Sequence, residues 1–176
     1  MSDAQRTAAD AIINGPRKAI FGPFVPLLRC PLLMERVGAL GEALRFSGSL
    51  PDPVRELVIL VVARETSNQF EWQTHVPLAR RAGVSEAVIA AIWDGRQPRD
   101  LEPAAQAAVE FAAELMLRHG TSDATYRAAD VAFGEAGVVE LAILVGYFTM
   151  VCWLMNVART PGPAGSGERP LSAWPP

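Results

Sequence analysis

The chain has only two histidines, and one of them sits where an imidazole could work. His75 follows Glu71 by four residues, and on a helix residues four apart share a face. A carboxylate in that position can orient the ring and raise its pKa toward the range useful for proton transfer. Asn68, three residues before Glu71, falls on the same face, so Asn68, Glu71 and His75 form a polar stripe among Phe70, Trp72 and Leu78. The chemistry on offer is acid–base catalysis. The same spacing also suits an exposed ion pair beside an amide, and spacing alone does not choose between them. Glu56 lies early in the preceding segment, where the helix dipole favours an acid; its neighbours Leu57 and Val58 leave its direction open.

Other chemistries find little support. His119 stands beside Gly120 at an expected helix end, where histidine commonly plays a structural part. Cys30 and Cys152 are far apart and flanked by apolar residues, as core cysteines are. They leave a Cys–His pair with His75 open, but with two histidines they make no recognisable zinc set. There is no phosphate-cradling glycine loop, dinucleotide fingerprint or nucleophile elbow. A net charge of -3 supplies no cationic footprint for nucleic acid, and Arg80–Arg81 reads as a solvated helix face. Two cysteines in 176 residues and an N-terminus without an apolar leader point to the cytoplasm.

The elements needed to hold the stripe can be read from punctuation and period. Residues 1–30 carry Gly15-Pro16, Gly22-Pro23 and Pro26, which predicts an extended arm. Residues 31–160 predict a single helical domain. Pro31 opens one helix, Pro51-Asp52-Pro53 a second, and the segment from about Ser67 to Ala82 forms a third closed by Gly83. Short and long helices then start at Ser85 and Pro103, and another runs from Ser122 to about Gly134. The run LVILVVA at 57–63 could suit a buried strand, but its place after Pro-Asp-Pro favours helix. The stretch from Val138 to Ala158 is apolar enough to suggest a membrane span. Glu140 and Asn156 within it, and the lack of flanking basic clusters, favour burial inside the protein instead. Residues 161–176, rich in Pro and Gly, predict a loose tail that Trp174 could anchor.

The run PDPVRELVILVVARETSNQFEWQTHVPLARRAGVSEAVIAAI, with the ending GEAGVVELAILVGYFTMVCWLMNVA, resembles the carboxymuconolactone decarboxylase superfamily. That superfamily includes the alkyl hydroperoxidase D (AhpD)-like proteins. The resemblance covers about Pro31 to Ala158 and implies an all-α, single-domain bundle of the AhpD-like type with a buried C-terminal helix. It also implies assembly as a dimer, trimer or hexamer. In the hydroperoxidase branch a Cys-x-x-Cys pair is followed one turn later by a histidine, with an upstream glutamate completing a proton relay. Here the histidine falls on His75 and the glutamate on Glu56, but Asn68 and Glu71 stand at the thiol positions. Neither can form a thiolate. The decarboxylase branch, which also lacks the pair, is the nearer resemblance.

Spacing and resemblance together predict a cofactor-independent lyase or isomerase acting on a small carboxylated, lactone-like or enolisable substrate. His75 acts as acid or base, Glu71 orients it or moves a second proton, and Glu56 completes the relay. Asn68 could hydrogen-bond a developing enolate oxygen, and Arg64 could pair with a substrate carboxylate. Partners are expected to be the small molecule and further copies of the chain, with no metal, nucleic acid or membrane. The alternatives are a thiol-independent relative of the antioxidant branch and a non-enzymatic oligomeric binding protein.

Overall fold

A computed structural model describes residues 1–172, which are helical with no strand among them. The elements run α1 (Asp3–Asn14), α2 (Phe24–Leu27), α3 (Pro31–Glu42) with a π-helical turn (Ala43–Ser47), α4 (Asp52–Glu65) and α5 (Gln69–Arg81). They continue through α6 (Glu86–Trp93), α7 (Pro103–Arg118) and α8 (Asp123–Val157).

Helix α4 is the centre of the bundle. Pro53 fits its first turn, where no amide donor is needed. Every residue from Glu56 to Ala63 is then buried, because α5, α7 and α8 pack around it. A helix surrounded on all sides can be apolar all round, so the β-branched run at 57–63 is helical despite its composition. Helix α8 supplies a second wall through Leu141, Leu144, Phe148, Val151, Cys152 and Met155. Over half of its most apolar stretch is buried, which makes it a core helix. Its single break is at Gly134, whose φ of 69° falls in the left-handed region that favours glycine, near the boundary expected from sequence.

Glu140, the carboxylate inside that apolar run, has a structural task. It accepts hydrogen bonds from the Ser49 amide (2.9 and 3.0 Å), the Ser49 hydroxyl (2.6 Å) and the Leu50 amide (3.3 Å). Burial works against its charge, but those donors and nearby Arg55 hold its carboxyl below the usual range. It thereby ties α8 to the loop that leads into α4.

Two expectations fail at the chain ends. Residues 3–14 are a helix within the segment expected to be an extended arm. Ser2 and Gln5 form a reciprocal capping box, and Ala8, Ala9 and Ile12 give a buried face. The glycines and prolines that suggested an arm begin only at position 15. Ala8, Ile12, Phe24, Leu27 and Met34 form a small second core that seals α1 and α2 onto α3. The tail is also fastened rather than loose. Gln69 exchanges two 2.9 Å bonds with the Leu171 backbone, and the indoles of Trp72 and Trp93 donate to the carbonyls of Arg169 and Pro170, each at 3.0 Å. The Arg169 guanidinium lies over the Trp93 ring. Trp174 lies outside the described residues.

Candidate functional site

Helices α4 and α5 bring three of the expected residues together in the interior. The His75 ring lies between two carboxylates, with Nδ1 2.6 Å from Glu56 Oε2 and Nε2 3.1 Å from Glu71 Oε2. All three side chains are buried, His75 at 2% exposed. That burial excludes the exposed ion pair, which would stand in water.

The proton inventory of this trio is constrained. An ionised carboxylate only accepts, and a neutral imidazole has one N–H to give. Two carboxylates can therefore both be satisfied only by an imidazolium, or by a proton that has moved onto one of them. Burial disfavours the charged ring, but its bonds to Glu56 and then Glu71 outweigh that, and the His75 pKa is raised. Phe148 meets the ring edge-on at 5.4 Å between centroids, fixing it from the α8 side.

The trio touches two different cavities. Glu71, Thr74 and His75 line a narrow one of about 30 Å³, walled by Phe70 from α5 and Tyr147, Phe148 and Val151 from α8. The N-terminal segment supplies the rest of that wall through Arg17, Phe21, Pro23 and Phe24, and Arg45 reaches it from the π-helical turn. Glu56 lines the other cavity, of about 430 Å³, with Asp52, Arg55 and Arg81; Arg45 lines both. The Glu71–His75–Glu56 line therefore runs from an aromatic chamber to a separate polar basin.

The remaining two expected residues do not join the site. Asn68 is 1% exposed, and every polar atom of its side chain is used structurally. Its carbonyl accepts from the Glu71 amide at 2.9 Å, capping α5. Its amide donates to Cys152 O at 3.0 Å and Asn156 Oδ1 at 2.8 Å, docking α5 on α8. Asn68 thus aims the stripe without facing the cavity, which replaces the enolate-binding part expected of it. Arg64 donates to Trp93 O at 2.8 Å and lines a cavity that shares no residue with the one at His75. It stands apart from the imidazole.

The other candidates resolve simply. His119 ends α7 in the left-handed conformation with φ 62°, its amide donating to Leu115 O. Cys152 is buried, as expected, and burial pushes its thiol well above the ordinary range. Cys30 is exposed instead of in the core, because it immediately precedes the first turn of α3.

Sequence reasoning missed Arg17, Arg45 and Tyr147. The Arg17 side chain is only 4% exposed, packed beneath Phe24 and beside Tyr147. Gly41 makes room for this pairing, since a Cβ there would fall 2.0 Å from the Tyr147 hydroxyl and 2.9 Å from Arg17 Nη2. Burial pushes the Tyr147 phenol up to about 12, so it stays protonated at ordinary pH. An arginine buried beside a proline-rich segment leaves no periodic signal.

Residues 31–114 match the carboxymuconolactone decarboxylase family model. No curated protein matches the chain. Among solved structures it resembles a protein of unknown function from Agrobacterium tumefaciens, described as a candidate antioxidant defence protein AhpD. That match has a TM-score of 0.69, 18% identity, and coverage of 78% of this chain and 95% of the other. It also resembles a peroxidase-related protein with an AhpD core from Ralstonia eutropha JMP134, at TM-score 0.74 and 16% identity over 94% of this chain and 88% of that one. A third is a Cys-to-Ala variant of the debrominase Bmp8 in complex with 2,3,4-tribromopyrrole. Its TM-score is 0.74, with 13% identity over 94% and 91% of the two chains. Residues 31–114 thus resemble the carboxymuconolactone decarboxylase family, and the fold is similar to that of AhpD-like structures, with neither branch distinguished.

Proposed function

We propose that this protein is a cytoplasmic, cofactor-independent lyase or isomerase, nearer the decarboxylase branch, acting on a small carboxylated or lactone-like substrate. One observation carries the reading: a buried imidazole is held between two carboxylates at an aromatic cavity, with no thiol at either neighbouring position. In the imidazolium form His75 gives a proton to a dienolate or enolate carbon; as the neutral ring it takes one from carbon beside a carbonyl. Glu71 holds the ring from the cavity side, and Glu56 passes the proton toward the polar basin. A thiol-based peroxidase would need a thiolate, and burial pushes the Cys152 thiol, near Glu71, well above its ordinary range. The thiol-independent antioxidant alternative is separated by the peroxide arm of the experiment.

The experiment is a panel of small lactone-bearing and β-keto carboxylic acids incubated in D₂O and followed by NMR. A parallel arm contains tert-butyl hydroperoxide with dithiothreitol. Decarboxylation or deuterium incorporation in at least one panel member is expected, with no consumption of peroxide. Peroxide turnover, or a protein inert toward the whole panel, would discard the proposal.

The working form is proposed to be a homo-oligomer. Val139, Ile143, Met150, Trp153 and Val157 are all exposed on α8 and repeat at coiled-coil spacing, with open space above Gly146 in the gap. A second copy covering this stripe would remove it from water. Light scattering is expected to give a dimer or larger for the native chain and a monomer for Trp153→Glu. A native chain that is monomeric at tens of micromolar would count against it.

A further inference from the structure

We propose that Arg17 and Arg45 are the anion-recognising pair of the His75 cavity, taking the carboxylate of a small planar acid. This deepens the function proposed above and rests on the His75 cavity being the substrate site. Both guanidiniums line that cavity, from different parts of the chain. The Arg17 side chain is buried although the residue as a whole is only half-buried, and the carboxylate paired with it, Glu42, is 3.6 Å away and half exposed. Arg45 is half-buried at the cavity and makes no ion pair among the described residues. Buried cations are ordinarily matched by well-bonded anions. Here the carboxylates nearest the chamber, Glu71 and Glu56, are committed to the imidazole. Arg17 has only the loose Glu42 carboxylate and the Tyr147 hydroxyl beside it, and Arg45 has no ion pair among the described residues. The five donors of each guanidinium therefore leave some unspent, the arrangement that takes a carboxylate in a forked geometry.

The surroundings define the rest of the ligand. Phe21 and Phe70 stack at 6.3 Å between centroids, and Phe148 stands edge-on to His75, so the non-polar walls are flat ring faces and edges. A void of about 30 Å³ takes little more than one small group, which limits the buried part to a carboxylate and its attached carbon. An unsaturated or aromatic body would lie along the rings. The pair also spans the family boundary: Arg45 lies within the matched residues 31–114, whereas Arg17 precedes them. Recognition of the charge is thus divided between the family-matched residues and the segment ahead of them.

The test uses benzoate as probe and benzyl alcohol as its neutral counterpart, with binding read from the His75 ring resonances and by calorimetry. The native protein is expected to bind benzoate in the millimolar range or tighter. Arg45→Gln should weaken benzoate at least tenfold and leave benzyl alcohol within twofold, and Arg45→Lys should recover part of the loss. Arg17→Gln should behave like Arg45→Gln; if it does not fold, the Arg45 series still decides. Unchanged benzoate affinity in Arg45→Gln, an equal loss for benzyl alcohol, or no benzoate binding by the native protein would overturn the assignment. Because the readout is binding, it fails or succeeds separately from acid–base turnover. Arginine-dependent binding without turnover leaves the anion site standing and removes the catalytic reading.

Discussion

His75→Gln is expected to lower turnover of any substrate found for this protein by about 10²–10⁴-fold, the usual worth of a positioned proton donor or acceptor. Glutamine can donate from its amide to one carboxylate, but it cannot carry a titrating proton. Glutamine fills much of the same volume but leaves two buried carboxylates without a cation. A loss of stability like that of Glu56→Ala is therefore expected alongside, and kcat is read under conditions where the variant is folded. The checks are helical circular dichroism together with the kcat of the purified variant. If the variant stays folded and keeps more than a tenth of native kcat, His75 is not the proton carrier.

Glu56→Ala should cost about 3–5 kcal/mol of stability at pH 6, the typical result of stripping one partner from a buried charge pair. The substitution leaves the imidazolium with Glu71 alone and removes the carboxylate that lies 3.7 Å from Arg55 Nε, a buried atom with no hydrogen bond of its own. The pH dependence has a definite sign. The His75 pKa in the folded protein is raised above its ordinary 6.5. Its stabilising contribution is therefore complete below 6.5 and disappears as pH rises through the higher folded value. Urea unfolding of the native chain should show that decline on the alkaline side, and Glu56→Ala should flatten it. A variant within about 1 kcal/mol of native at pH 6 would mean that the pair does not hold the protein together.

Much of the scaffold could be read from local signals because its helices begin and end on strong ones. Pro31, Pro53, Ser85, Pro103 and Ser122 each start a helix in the structure at or beside the expected place. The link from Glu71 to His75 follows from period alone. Glu56 could be paired with His75 only through the family resemblance, since period says nothing about which side of α4 faces α5. Period puts Asn68 near the stripe but does not reveal that its amide caps α5 and docks it on α8. Whether an amide meets a substrate or caps a helix depends on α8, more than eighty residues away. Arg64 was chosen for its nearness in sequence, whereas the structure puts Arg17 and Arg45 at the cavity through long-range packing. The helix at 3–14 carries a good capping box, but the Gly-Pro signals that predict an arm lie just beyond it and say nothing about the residues before them.

The chamber beside His75 has a mixed ownership that bears on how such proteins diverge. Its floor, with Glu71 and His75, comes from within the family-matched residues 31–114, while Arg17, Phe21, Pro23 and Phe24 come from a short piece ahead of them. On the proposed reading, substitutions at those four positions would change which molecules are admitted while leaving the Glu56–His75–Glu71 line itself unaltered. New selectivity can thus arise at little risk to the reaction centre, as a lock may be rekeyed without rebuilding the door.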